Sequence, residues 1–209
     1  PVEELGFLKK LWRLETLDLS ETRAISYRVI GGLKRLTKLL LTRTSAAAGE
    51  TLTASSRLRH LDLKGSGVKN LQRIAAVTGL TYLNLADTPV KDTSPLKSLA
   101  NLAYLNLSGT KVKSLKGLKP LEALTVLKLS STNVSSLGPL SKLTELESLD
   151  LRGLPLKSLK SLSRMTRLKR LDLGLSKVSD LRGLSALKAL KNLSLDGSAV
   201  TDLTPLNTM

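Results

Sequence analysis

Residues 80–101 read LTYLNLADTPVKDTSPLKSLAN, and the next 22 residues, 102–123, read LAYLNLSGTKVKSLKGLKPLEA. Laid on one another, the two segments share Leu at positions 1, 4, 6, 17 and 20, Tyr at position 3, Asn at 5, Thr at 9 and Val at 11. The phase holds in both directions from this pair. Leu-x-Leu recurs as Leu17/Leu19, Leu39/Leu41, Leu61/Leu63, Leu83/Leu85, Leu105/Leu107, Leu127/Leu129, Leu149/Leu151, Leu171/Leu173 and Leu193/Leu195, nine pairs spaced 22 residues apart without a slip. A fixed period of this length marks a stacked array, in which each unit buries its apolar side chains against the next.

Within one unit the two halves have different periods. The Leu-x-Leu half alternates at period two, which predicts a half-buried strand. In the second half Leu recurs every third residue, as at Leu115, Leu118 and Leu121, which suits tight turns or 3₁₀ pieces. Pro95, Pro139 and Pro205 share one position there with Gly117 and Gly183, and both residue types disfavour a regular helix interior.

The unit L-x-x-L-x-L-x-x-T-x-V-x-x-L-x-x-L-x-x-L-x-x resembles the leucine-rich repeat family in its short, internalin-like form, and the resemblance covers the whole chain. It implies an α/β solenoid: a right-handed leucine-rich repeat array of about nine repeats, with one short parallel β-strand per repeat on a concave face and 3₁₀ or short turns on the convex side. It also implies a non-catalytic protein-binding role across the concave face. Thr in the ninth position is similar to leucine-rich repeat proteins of kinetoplastid protozoa.

Two departures from the family pattern stand out. The usual ninth residue is Asn, whose amide ties neighbouring turns. Here the column reads Thr22, Thr44, Ser66, Thr88, Thr110, Thr132, Leu154, Ser176 and Ser198. A hydroxyl still offers one donor and two acceptor lone pairs, so a buried hydroxyl ladder is expected. Leu154 offers none, and the turn at Gly153-Leu154-Pro155 is therefore expected to differ. The second departure is Thr42 to Arg57, where Ala46, Gly49 and Ser55 replace apolar core residues. Each lost large side chain removes roughly 1.5–3 kcal/mol of burial. This segment is either a degenerate repeat or a seat for a partner segment that completes the core.

The expected organisation is a single array over residues 1–209, with a partial repeat at 1–13 and nine repeats of 22 over 14–209, the last truncated. Val2, Leu5, Leu8 and Leu11 are already in phase, and Met209 falls on a core position. Neither end shows the polar cap that terminal repeats need. The chain thus reads as a fragment of a longer array, or as one whose ends are covered by neighbouring subunits. No run of about 18 apolar residues suggests a membrane span, and no signal-peptide pattern opens the chain. The absence of cysteine rules out disulfide-stapled caps and favours an intracellular setting.

The net charge is +16, from 33 Lys and Arg against 17 Asp and Glu. The third, fifth and seventh positions should form the concave floor. Lys38, Lys64, Lys128, Arg152 and Arg170 lie there against Asp18, Asp62, Asp150, Asp172 and Asp196, so the floor is neutral. The other 28 basic and 12 acidic residues carry the excess on the edges, the convex side and the ends. Lys69, Lys91, Lys113 and Lys157 share one column, and Lys116, Lys160 and Arg182 another. The clusters Lys111, Lys113, Lys116, Lys119 and Lys157, Lys160, Arg164, Arg167 are either a solvated face or a contact for RNA, DNA, an acidic tail or an anionic membrane surface. Aromatic residues for base stacking are missing from this edge.

On the floor the third-position column contains His60, Tyr82, Tyr104 and Val126 in succession. Strands about 4.8 Å apart turn these into one strip, holding two of the chain's three Tyr. Tyr and Arg are enriched at binding hot spots. Asn84, Asn106 and Lys128 in the fifth column flank the strip. Arg152 and Arg170 lie further along, with Asp150, Asp172 and Leu175, in an expected ion-pair mesh that could orient a charged partner.

Signals for catalysis are weak. His60 shares the concave side with Asp62 but has no nucleophile placed by a motif. No Cys/His metal set, Gly-rich phosphate loop or dinucleotide fingerprint occurs. Asp18 and Asp62 would sit about 10 Å apart, too far to share a cation. No cofactor, metal or small-molecule substrate is expected. A protein partner is the primary expectation. The alternative is a structural subunit of a ribonucleoprotein or cytoskeletal assembly that contacts polyanions through its basic edges.

Overall fold

A short segment with an apolar residue in its centre and turn residues beyond it runs extended, and each repeat contributes one such strand. The computed structural model describes residues 5–23, 27–45 and 57–207. Among them, β1 (Thr16–Asp18), β2 (Lys38–Leu40), β3 (His60–Asp62), β4 (Tyr82–Asn84), β5 (Tyr104–Asn106), β6 (Val126–Lys128), β7 (Ser148–Asp150), β8 (Arg170–Asp172) and β9 (Asn192–Ser194) form one parallel sheet in chain order. The register follows the period: Tyr82 lies beside Tyr104, Leu83 beside Leu105 and Asn84 beside Asn106. The central Leu is buried in β1–β8 and partly buried, as Leu193, in β9, and each buried one contributes roughly 1.5–3 kcal/mol.

The strand ends in a tight turn whose one sequence sign is glycine at every second eighth position from Gly65 to Gly197. The eighth residue of each repeat has positive φ, from 54° at Arg43 and Leu175 to 72° at Gly153. Its N–H thereby points along the array and donates to the seventh-position carbonyl of the next repeat, as from Asp87 to Ser108 at 2.8 Å and from Leu175 to Asp196 at 2.7 Å. Gly65, Gly109, Gly153 and Gly197 take this conformation without steric cost. Leu175 takes it with a bulky side chain, an uncommon arrangement, and remains 58% exposed.

The ninth-position column is buried as expected at Thr44, Ser66, Thr88, Thr110, Thr132 and Ser176, but its hydroxyls do not bridge one repeat to the next. Each bonded hydroxyl turns back on its own repeat: Thr22, Thr44, Thr88, Thr110 and Thr132 donate to the sixth-position carbonyl three residues earlier, at 2.6–2.8 Å. The buried Ser66 and Ser176 hydroxyls have no hydrogen-bond partner. The eighth-position amide links the turns instead. For the same reason the turn at Leu154 is not distorted, contrary to expectation. The Leu154 N–H donates to Leu151 at 3.3 Å, as the Thr22 N–H does to Leu19 at 3.2 Å. Gly153 keeps the left-handed conformation, and Leu154 is buried. The backbone closes this turn, and the core accepts an isobutyl group where a hydroxyl would sit.

The second half of the repeat forms 3₁₀ segments, including Ser94–Ser98, Lys116–Leu118, Gly138–Leu140, Lys160–Leu162 and Arg182–Leu184. Repeat three differs: α1 (Gln72–Ala75) is α-helical, where Arg73 stands at the Pro/Gly position. A thirteenth-position side chain precedes the segment and accepts the N–H two residues on, as Asn70 does from Gln72, Asp92 from Ser94 and Asp180 from Arg182, at 2.8–2.9 Å. Such Asx turns order the entry to each segment. Gly117 is needed for close approach, since a Cβ there would lie 1.9 Å from the Thr93 carbonyl oxygen of the preceding repeat. Of the residues expected to weaken repeat two, Ala46, Gly49 and Ser55 lie outside the described residues, as do Val2 and Met209. Leu5 and Leu8 are buried, and Leu11 is 43% exposed.

Candidate functional site

The parallel register sets the third-position side chains in a row, and three of them are planar rings. His60 stacks on Tyr82 with centroids 3.8 Å apart and planes 6° from parallel, and Tyr82 stacks on Tyr104 at 4.3 Å and 7°. Val126 continues the row beside Tyr104. Lys128 lies at the far end, its ammonium 5.9 Å from the Tyr104 ring centre, within cation–π range. Lys38 precedes His60 at the near end. His60, Tyr82, Tyr104 and Val126 are all half-buried. The ring faces between neighbours are covered, so the strip presents edges and polar atoms to the concave side.

Burial, then the Lys38 ammonium, holds the His60 imidazole below the usual histidine range, with Asp62 opposing. Burial, then neighbouring Tyr104, pushes the Tyr82 phenol well above its ordinary value. Both rings are therefore neutral at physiological pH. His60 and Asp62 share the concave side as expected, yet Asp62 is engaged elsewhere: it accepts from the Lys64 N–H at 2.9 Å, from the Asn84 amide at 3.1 Å and from the Thr42 hydroxyl at 3.4 Å.

The fifth-position column is partly structural, which the residue types alone did not reveal. Asp18, Asp62, Asn84, Asn106, Asp150 and Asp172 each accept the N–H two residues on, at 2.8–3.1 Å. Asn84 is buried, with both ends of its amide engaged. Asn106 is half-buried beside Tyr104. The recurring D/N-x-[S/A/R/K/G] spacing was the available signal.

At the other end of the floor the charges pair. Arg152 makes two 2.7 Å hydrogen bonds to Asp196, 44 residues away, and lies 3.8 Å from Asp172. Gly174 stands between them, and a Cβ there would lie 2.3 Å from Arg152 Nη1 and 2.5 Å from Asp196 Oδ1. The bidentate bonds hold the Asp196 carboxyl far below the usual range. Exposed Arg170 faces Asn192 across β8 and β9 and lines a shallow concavity of about 580 Å³ with Asp150, Asp172, Lys191 and Ser194. The expected mesh thus centres on Arg152 and reaches Asp196.

The basic clusters lie on other segments of the repeat. Lys111, Lys113, Lys116, Lys119, Lys157, Lys160, Arg164 and Arg167 are all exposed. Lys116 and Lys160 open equivalent 3₁₀ segments. Arg167 pairs with Glu145 of the preceding repeat. A further feature was not anticipated: Trp12 is 57% exposed, with the guanidinium carbons of Arg13 and Arg35 at 4.7 and 5.8 Å from its ring centre. Among the described residues, no group of three or more His, Cys, Asp or Glu could hold a metal ion, and no helix is long and apolar enough to cross a membrane.

A family model described as leucine-rich repeats, in two copies, matches residues 78–120. Residues 78–120 therefore carry leucine-rich repeats. Solved structures extend the likeness in fold along its length. An internalin from Listeria monocytogenes superposes with a TM-score of 0.92 at 23% identity, covering 99% of this chain and 61% of its own. Internalin C2 from the same organism gives 0.82 at 24% identity, covering 90% of this chain and 83% of its own. A TLR13–ssRNA13 complex gives 0.76 at 24% identity, covering 94% of this chain and 31% of the other. The chain therefore spans about three fifths of the first internalin's length. No protein of curated function matches it in sequence.

Proposed function

We propose that this chain is a non-catalytic interaction scaffold that binds a protein partner across its concave strand face, with the contact centred on His60, Tyr82 and Tyr104 and extended by Val126, Asn84, Asn106, Lys128, Arg152 and Arg170. One observation carries the proposal. In a chain with 2% aromatic residues, three rings stack in consecutive strands on the open face. Tyr offers large, rigid contact area at low entropic cost, and such residues dominate interface energetics. The leucine-rich repeat fold supports the general class.

The test is Tyr82→Ala combined with Tyr104→Ala. Partners captured by the parent chain should be lost while the circular dichroism spectrum and unfolding midpoint show an intact array. Retained capture by the folded double variant would overturn the proposal.

A second reading rests on the eight exposed basic residues of the two clusters in repeats five and seven and on a structural neighbour solved with single-stranded RNA. In it, the edges dock the chain onto a polyanion within a larger assembly. Binding would then fall steeply with salt and disappear on charge reversal of Lys113, Lys116, Lys157 and Lys160. Salt-insensitive association would exclude it.

A further inference from the structure

The aromatic strip is bordered by three lysines that make no ion pair within 4 Å among the described residues, although Lys38 acts on Asp18 at longer range and Lys128 lies beside Tyr104 and Asp150. Lys38 precedes it, Lys64 follows Asp62 beside β3, and Lys128 closes it at β6. Among the described residues, the ion pairs of this chain involve Arg43, Arg152, Arg167, Lys169 and Arg182, and none of these three lysines. The floor's carboxylates are already engaged by the chain itself. Asp62 accepts three hydrogen bonds, Asp18 accepts from Ser20, and Asp196 is gripped by Arg152. Over β2–β6 the floor thus holds three lysines against the single carboxylate Asp62.

The geometry also limits what can lie there. Both faces of the Tyr82 ring are covered by His60 and Tyr104, so a nucleobase cannot stack on it. Ring edges, the Tyr hydroxyls and lysine ammoniums remain for a partner, and these suit a peptide backbone with carboxylate side chains. From β2 to β6 is four strand spacings, about 19 Å. An extended chain covers that distance in about six residues.

We propose that the occupant of the concave face is an extended acidic segment of another protein, lying along the array axis. Its Asp or Glu side chains, about six positions apart, meet Lys38 and Lys128, and its middle lies on the His60–Tyr82–Tyr104 strip. The proposal rests on the concave-face reading above and adds the chemistry of the partner. The net charge of +16 would steer such a segment toward the molecule.

The experiment selects a phage-displayed library of random dodecapeptides on the whole chain, then measures synthetic versions of enriched peptides by fluorescence anisotropy. Enriched sequences should carry Asp or Glu five to seven positions apart. Lys38→Glu with Lys128→Glu should weaken them at least about tenfold, and peptides with Glu changed to Lys should recover binding to that variant. The rescue separates lost recognition from lost folding. No enrichment, enriched peptides without acidic pairs, or undiminished binding to the reversed chain would overturn the acidic partner. If neutral peptides are enriched and Tyr82→Ala/Tyr104→Ala abolishes their binding, the acidic partner falls while the concave reading stands. If acidic peptides bind regardless of the tyrosines and are lost on reversing Lys113, Lys116, Lys157 and Lys160, both fall. A 12-nucleotide single-stranded RNA that binds equally well, with the same dependence on Lys38 and Lys128, would also overturn the peptide assignment.

Discussion

The floor over β2–β6 and the floor over β7–β9 share one backbone, one register and one Leu core, yet treat their side chains in opposite ways. The first stacks neutral rings and leaves Lys38, Lys64 and Lys128 without ion-pair partners among the described residues. The second ties Arg152 to Asp172 and Asp196. A repeat array can therefore divide one face into a stretch with stacked rings and unpaired lysines and a stretch whose charges are partly paired within the chain. The identity of a few outward residues suffices, because the frame beneath is indifferent to them.

That indifference is the first thing to break. Leu105→Ala beneath the strip and Leu171→Ala beneath the paired region remove equivalent buried side chains. Each should cost about 2–5 kcal/mol, measured by urea unfolding. Costs that differ more than twofold would show that the two halves do not share a frame. A finer version of this test compares Thr110→Val, which removes a buried 2.7 Å hydrogen bond to the Leu107 carbonyl, with Ser66→Ala, whose hydroxyl has no partner. The first should cost about 1 kcal/mol and the second nothing.

The stacking itself comes next in size. A double-mutant cycle of His60→Ala and Tyr82→Ala should show a coupling of about 0.5–1.5 kcal/mol. Strict additivity would mean that the rings sit side by side without mutual stabilisation.

The two halves should also separate on a pH axis. His60 is the chain's only histidine, and burial, then Lys38, lowers its pKa from the ordinary 6.5. Its contribution to stability is present above pH 6.5 and is lost as the pH falls through the lowered folded value. Asp196, held down by its hydrogen bonds from Arg152, contributes above its ordinary 3.8 and loses that contribution only as the pH falls through its own lowered value. The strip thus weakens in a window well above that of the paired region. Titrating the His60 imidazole by NMR checks the sign, and a midpoint at or above 6.5 would contradict it.

The smallest effect is expected at Gly174. Alanine there would push apart the flexible ends of Arg152 and Asp196. Exposed ion pairs contribute little, so the unfolding midpoint should barely move, while the Asp196 carboxyl titrates nearer its ordinary value. A large fall in the midpoint would show that the paired region depends on this pairing.

Much of this was legible before any coordinates. The 22-residue spacing of the Leu-x-Leu pairs set which residues are neighbours on the sheet, because parallel strands of one repeating unit can stack only in phase. His60, Tyr82, Tyr104 and Val126 followed as one row from counting alone. Every-third-residue Leu, with Pro95, Pro139 and Gly117 in one column, was enough for 3₁₀ turns, since those residues cannot sustain a longer helix.

The folded arrangement decided the rest. Asp87, Ser131 and Leu175 carry no local sign of a left-handed backbone. They adopt it because their N–H groups must reach the next repeat's carbonyl. Thr110 gave no hint that its hydroxyl would turn back on its own repeat, a choice made by the path of that turn. Arg152 meets Asp196 across an intervening repeat because Gly174 has no side chain to block the way. Periodicity specifies which groups are adjacent. Which of them pair, stack or stay available depends on distances of a few ångströms that only the assembled array defines.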